Sequence, residues 1–145
     1  MSSNKTVLVT GGSRGIGAAC VRLLARDGYD VAVNYARSAA EAEKLAGDVR
    51  TMGGSSITIQ ADVGSEAEVT DMFAQIDKAM PPLVGLVNNA GILFKKAMLE
   101  EFSAERINET LRVNVTGSFL CAREAVRRMS TDRGGKGGVI VNLSS

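Results

Sequence analysis

Thr10-Gly11-Gly12-Ser13-Arg14-Gly15-Ile16-Gly17 is the stretch whose reading decides the fold. Before it stands Thr6-Val7-Leu8-Val9-Thr10, a short run rich in β-branched residues. After it, Ile16, Ala19, Cys20, Val21, Leu23 and Leu24 follow at helical spacing as far as Gly28. A glycine cluster alone is an ordinary turn. Between a strand and a helix it brings backbone N–H groups and a helix N-terminus to face an anion. Its glycines allow the tight turn and the close approach of a pyrophosphate. No Gly-Lys-Ser/Thr follows, so this is not the phosphate loop of nucleoside triphosphatases.

Outward from the loop, the chain alternates between strand and helix periods. Val31 to Tyr35 reads as a second strand, and Ser38 opens a helix with Glu41 three residues on, the spacing of a capping box. That helix is expected to end by Gly53-Gly54, before a third strand at Ser56 to Gln60. Ser65 and Glu68 repeat the capping-box spacing. Val69, Met72, Phe73 and Ile76 then mark one buried helix face, and Pro81-Pro82 stops the helix. Leu83 to Val87 is a fourth strand, Asn88 to about Phe102 a loop, Ser103 to Met129 a long helix, and Val139 to Leu143 a fifth strand. Five strands alternating with four helices give βαβ units and an α/β fold. The strands are continuously apolar, as in a parallel sheet covered on both faces. Right-handed crossovers predict a Rossmann-type doubly wound sheet of order 3-2-1-4-5, with ligands at the C-terminal strand ends beside the switch between strands one and four.

The composition excludes several functions. Lys and Arg number 17 and Asp and Glu 16, and the only basic runs are pairs, so no nucleic-acid footprint is expected. The chain has no His, which removes His-based triads, His general bases and His-ligated metals. Cys20 and Cys121 lie in apolar helical patterns and read as small buried hydrophobes, with no disulfide and no metal site. No apolar run approaches the ~18 residues of a membrane span. No signal-peptide core precedes the first strand. A cytoplasmic protein with no membrane partner is expected.

Four ordered segments give the pattern a family likeness. Thr-Gly-x-x-x-Gly-Ile-Gly at positions 10–17, Asp62-Val63 after strand three, Asn88-Asn89-Ala90-Gly91 after strand four, and Val139-Ile140-Val141-Asn142-Leu143-Ser144-Ser145 together resemble the short-chain dehydrogenase/reductase family. The resemblance runs along essentially the whole chain. It implies hydride transfer between a nicotinamide cofactor and a carbonyl or alcohol carbon, as in 3-oxoacyl-carrier-protein reductases or sugar and polyol dehydrogenases. It implies cofactor contacts at Gly11, Ser13, Arg14, Gly15, Ile16, Gly17, Asp62, Val63, Asn88, Ala90 and Gly91, with Asp62 and Val63 at the adenine.

The choice of cofactor is read at the end of strand two. An NAD site usually places an acid there, on the ribose 2′-OH. Here Tyr35 stands at that place, with Arg37 and Ser38 beyond it and Arg14 inside the glycine loop. Two guanidinium groups beside a helix start suit a 2′-phosphate, which favours NADP(H) over NAD(H). The resemblance adds a basic residue at the place of Arg14 in NADP-using members.

The resemblance also implies four catalytic groups: Asn, Ser, Tyr and Lys. Asn114 fits the first, holding a water in the proton relay; its spacing from Ile107 and Leu111 puts it on the inward helix face, where a satisfied core amide is the plain alternative, and Gly117 would let the helix distort. Ser145 fits the second, with Ser144 as its neighbour. No Tyr-x-x-x-Lys is present, and Tyr29 and Tyr35 flank strand two. Residues 1–145 are therefore expected to be the dinucleotide-binding portion of a longer single-domain reductase, ending after the fifth strand, with negligible turnover alone. The parent is expected to be a homotetramer or dimer that uses the long helix as an interface. The competing reading is a truncated, non-catalytic dinucleotide binder. Nucleotide-sugar or methyl-donor binding on the same fold is a third, disfavoured by Asn88-Asn89-Ala90-Gly91 and Asn114. Leu93 to Phe102 would form one wall of a substrate site whose ligand the sequence does not name.

Overall fold

The computed structural model describes residues 3–145. Five strands, β1 (Thr6–Val9), β2 (Asp30–Tyr35), β3 (Ser56–Gln60), β4 (Leu83–Asn88) and β5 (Val139–Asn142), form one sheet of order β3-β2-β1-β4-β5. All four pairings are parallel. Leu8 on the central strand stands level with Ala32 on one side and Leu86 on the other. The helices are α1 (Gly15–Arg26), α2 (Ala39–Thr51), α3 (Glu66–Ala79), α4 (Ala104–Leu111) and α5 (Gly117–Met129).

Strand alternation divides the core in two. Val7, Val9, Val31 and Val33 face α1 and α2 and pack with Val21, Ala25, Leu45 and Val49. Leu8, Ala32 and Leu86 face the other way, onto Phe73, Ile76, Cys121 and Ala125 of α3 and α5. All four residues of β1 are buried, so neither face of this strand meets solvent. That is why it reads as an unbroken apolar run.

The helix starts show which serines cap. Ser103 and Ser65 hold extended backbones, with ψ of 152° and 114°, and their hydroxyls accept the amides of Arg106 and Glu68. Ser38 has ψ of 62° and makes no side-chain cap bond, so the capping box expected with Glu41 does not form. A cap hydroxyl meets the third-residue amide from an extended backbone. The second box closes on one side only. The Ser65 amide already donates to the Asp62 carbonyl, and the Glu68 carboxylate accepts instead from the Asp62 amide. Cys121 is buried as expected, but Cys20 is only half-buried, because α1 lies at the rim of its cluster.

The long helix is not one regular rod. Between α4 and α5, Arg112–Thr116 form a π-helical turn. A π turn accommodates one extra residue and re-aims the side chains before it. Gly117 closes the turn. A Cβ there would lie 2.7 Å from the Val63 Cγ2 and 3.1 Å from its carbonyl, so only glycine lets α5 approach the chain leaving β3. Outside the core, Leu111, Val115 and Phe119 stand exposed on this helical stretch, and Val139 and Val141 stand exposed on β5. Among the described residues, no helix is long and apolar enough to cross a membrane.

Candidate functional site

The strand order reverses between β1 and β4, and a cleft of about 1040 Å³ opens at their C-terminal ends. The glycine loop forms one wall and is held from two sides. Asn34, buried on β2, donates from Nδ2 to the carbonyls of Ile59 and Ala61, while its Oδ1 accepts the Gly11 amide. The Gly12 amide donates to the Asn34 carbonyl. Just past β4, Asn89 Nδ2 donates to the carbonyls of Thr10 and Gly11. The Thr10 hydroxyl accepts from the amides of Asn89 and Ala90 and donates to the Val87 carbonyl. The loop therefore has a fixed shape. Gly11 and Gly15 hold left-handed φ of 57° and 55°, which glycine adopts without strain. Gly17 is tighter still, since a Cβ there would lie 2.5 Å from both the Gly11 carbonyl and Asn89 Nδ2.

The opposite wall carries a charge network. Asp62 Oδ1 accepts the Gly64 amide at 2.9 Å, and Oδ2 accepts Arg112 Nη2 at 2.8 Å. Arg112 also grips Glu109 through Nε and Nη2, both at 2.8 Å. Partial burial pushes the Asp62 carboxyl up. The Arg112 guanidinium, the Gly64 amide and the positive charge of Arg37 outweigh it and hold Asp62 below the usual carboxylate range. Arg112 holds Glu109 below that range as well, with Arg37 again contributing. Arg37 lines the same cleft as Asp62 and Glu109.

The cleft gathers Gly11, Ser13, Arg14, Gly15, Arg37, Ser38, Asp62, Val63, Ala90 and Gly91 of the expected contacts. Four others fall outside its lining. Ile16 is exposed on α1, and Gly17 is buried beneath the loop. Tyr35 shares the strand face of Val31 and Val33, so its ring packs toward α1 and α2 and not into the cleft. Asn88 is buried, and its amide joins the Ser118 carbonyl to Asn142 Oδ1, stitching β4 to α5 and β5. Asn114 lies on the π turn, where Oδ1 accepts the Ile92 amide at 2.7 Å and Nδ2 donates to the Ile92 carbonyl at 2.9 Å. It anchors the loop that forms the far wall. Ser144 and Ser145 are exposed just beyond β5. Along that loop, Arg106 stacks on Phe102, 4.0 Å from the ring centre, and reaches Phe94 at 5.4 Å.

These residues fit a dinucleotide. The α1 start has no side-chain cap, leaving its first-turn amides open to an anion. Gly11, Gly12 and Gly17 leave no room for a Cβ against the loop's own neighbours, Gly15 has open space at its Cβ position, and two arginines flank the loop. Among the described residues, no group of three or more Cys, Asp or Glu side chains is placed to hold a metal ion.

The family model for the short chain dehydrogenases matches residues 5–145. The chain belongs to the short-chain dehydrogenase family. Within that family it is 53% identical over 138 residues to the uncharacterized oxidoreductase YgfF of Escherichia coli K12, covering 95% of this chain and 56% of that protein. It is 38% identical over 145 residues to the 3-oxoacyl-[acyl-carrier-protein] reductase FabG of Staphylococcus aureus Mu50, covering all of this chain and 57% of the reductase. A short-chain dehydrogenase of Burkholderia cenocepacia J2315, solved in complex with NADP, superposes with a TM-score of 0.89 at 39% identity, over 98% of this chain and 56% of the other. The chain therefore spans a little over half the length of the short-chain dehydrogenases it matches.

Several residues of the site escaped the sequence reading. Asn34 and Arg112 carry no motif of their own, and Asn89 stands in Asn88-Asn89-Ala90-Gly91 with no role read for it from the sequence. Asn34 was the readable one, as a polar residue inside an otherwise apolar strand. The partners of Arg112 lie 50 residues away and on the preceding turn, so only the folded chain brings them together.

Proposed function

We propose that this chain is the cofactor-binding part of an NADP(H)-dependent oxidoreductase acting on a carbonyl or alcohol substrate. The observation that carries this reading is the shared lining of Gly11, Gly15, Arg14 and Arg37 in one cleft, with no acid at the end of β2. The loop amides and the α1 start would hold the pyrophosphate. Arg14 and Arg37 would hold the 2′-phosphate, with Ser38 beside them. Asp62 and Val63 would hold the adenine, and Ala90 and Gly91 would leave room for the ribose on the nicotinamide side. A bound nicotinamide would supply or accept the hydride.

The chain's own groups would do the rest. Ser145 would donate a hydrogen bond to the substrate oxygen. Asn114 would keep Ile92 and the loop after it in register. Neither tyrosine lines the cleft, because Tyr29 and Tyr35 both pack beside the α1–α2 core. Residues 1–145 thus place no phenol at the site to protonate an alkoxide, and we propose dinucleotide binding without turnover for them. The exposed side chains of Leu111, Val115 and Phe119 support a homo-oligomer of the whole enzyme, closed along this helix. The second reading, a dinucleotide binder that takes no part in catalysis, rests on the same missing phenol.

The test is a charge reversal. Arg37→Asp should weaken NADPH at least tenfold while leaving NADH within about threefold. An unchanged NADPH/NADH ratio overturns the assignment of the 2′-phosphate. Carbonyl-dependent NADPH oxidation by residues 1–145 overturns binding without turnover.

A further inference from the structure

Four arginines line the cleft: Arg14, Arg37, Arg106 and Arg112. Arg112 is paired with Asp62 and Glu109, and Arg14 and Arg37 belong to the proposed 2′-phosphate site. Arg106 has neither role. It stands in the first turn of α4, with its guanidinium carbon 4.0 Å from the centre of the Phe102 ring and 5.4 Å from that of Phe94. Its Nη2 donates to the Lys95 carbonyl. Among the described residues, the N–H groups of Nε and Nη1 have no acceptor and no carboxylate comes within ion-pair distance. Glu101 is turned away to accept the Met98 amide. A planar cation held against two rings with its edge free is preorganised to receive an anion. Arg106 also stands where two hollows meet. Beyond the cleft lies a second, more open hollow of about 650 Å³, walled by Phe94, Lys96, Met98, Phe102 and Arg106. Phe94 and Arg106 line both hollows. The loop between them is rooted at Ile92, where Asn114 holds both backbone groups.

We propose that the hollow beside Arg106 takes the far end of the substrate, and that this end is a carboxylate carried on an apolar arm. The substrate class is then an oxo acid, or the matching hydroxy acid. The inference rests on the dinucleotide reading above and names the substrate class for it. Phe94, Met98 and Phe102 cover the arm, since Phe94 and Met98 otherwise stand exposed. The free N–H groups of Arg106 receive the carboxylate, with the Lys96 ammonium alongside. The stacked rings keep the guanidinium in one plane, so little side-chain freedom is lost on binding. Glu105 lines the cleft and Glu101 the second hollow, so the site suits a single negative charge. A dianionic phosphate would meet their repulsion with its second charge. Arg106 does not touch the reacting carbon. It decides which carbonyl compound is held.

The experiment compares para-acetylbenzoate with para-acetylbenzamide, which share a ketone and an aryl arm and differ in the charge at the far end. Calorimetry first establishes NADPH binding. The NADPH-saturated chain, with methyl-labelled methionine, is then titrated with each ketone, and the Met98 methyl resonance, assigned by Met98→Leu, reports binding at the hollow. We expect the acid to bind at least tenfold tighter than the amide. Arg106→Met should bring the two within about twofold, almost entirely by weakening the acid. Arg106→Lys, which keeps the charge and loses the planar fork, should give an intermediate ratio. Far-UV circular dichroism checks each fold, and Arg106→Gln carries the test if Arg106→Met does not fold. If Arg106→Met weakens acid and amide alike, Arg106 only supports the loop and the proposal is overturned. NADPH binding with no preference for the acid, or with neither ketone shifting Met98, also overturns it and leaves the dinucleotide reading standing. Failure of NADPH itself to bind removes that reading, and the substrate site with it.

Discussion

Asn34 shows how one buried amide can set a binding loop. It lies almost wholly out of solvent and satisfies two carbonyls of the β3 end and one loop amide. Truncation leaves those groups buried without partners, each worth about 1–3 kcal/mol when orphaned. Asn34→Ala should therefore lower the urea midpoint clearly and weaken NADPH binding as the Gly11 turn loosens. Gly17→Ala belongs to a different class. Its methyl would press on backbone and on Asn89, so binding should fall more than tenfold with a smaller loss of stability. Asp62 gives the pH signature. Its folded carboxyl titrates below the unfolded one, so its stabilisation is complete above the unfolded value near 4 and is lost as the pH falls through the folded value. The group is well exposed, so solvent screening keeps the contribution below about 1 kcal/mol. Denaturation at pH 6 and pH 3 should show that difference in the chain and a smaller one in Arg112→Met.

At the scale of elements, the serine caps and the π turn make separate predictions. Ser103→Ala should cost about 1 kcal/mol, because its hydroxyl caps α4, whereas Ser38→Ala should cost only a few tenths. Thermal melts of the two variants distinguish them. Deleting the exposed Val115 should relax the π turn into an ordinary helix. Residues before it then rotate by about 100° relative to α5. Arg112 would leave Asp62 and Asn114 would leave Ile92, so dinucleotide binding should vanish with helical content retained. The strands and the order of the sheet were legible in the sequence because apolar runs, glycine turns and right-handed crossovers fix them locally. Which serine caps was not, because the outcome depends on one backbone ψ. The π turn was hinted at only by Gly117, and its reach to Asp62 depends on a contact across the fold.

For the molecule as a whole, the candidate site was half readable. Gly11, Ser13, Arg14 and Gly15 are contiguous in sequence, Arg37 follows β2, and all of them line the cleft. Tyr35 was placed by its position at the end of β2, but strand alternation sends it to the α1–α2 face. Ile16 and Asn88 belong to matching motifs yet serve the loop's surroundings and the joint between β4, α5 and β5. Leu111, Val115 and Phe119 make a further whole-molecule prediction. On the proposed oligomer closed along this helix, Phe119→Asp should lower the sedimentation coefficient and leave NADPH affinity unchanged, since Phe119 does not line the cleft. The central claim is the grip of a glycine turn and two guanidiniums on a 2′-phosphorylated dinucleotide. Calorimetric titration of the chain with NADPH and with NADH tests it most directly. The account predicts saturable binding of NADPH at least tenfold tighter than NADH; NADH binding equally well or better, or neither ligand binding, would contradict it.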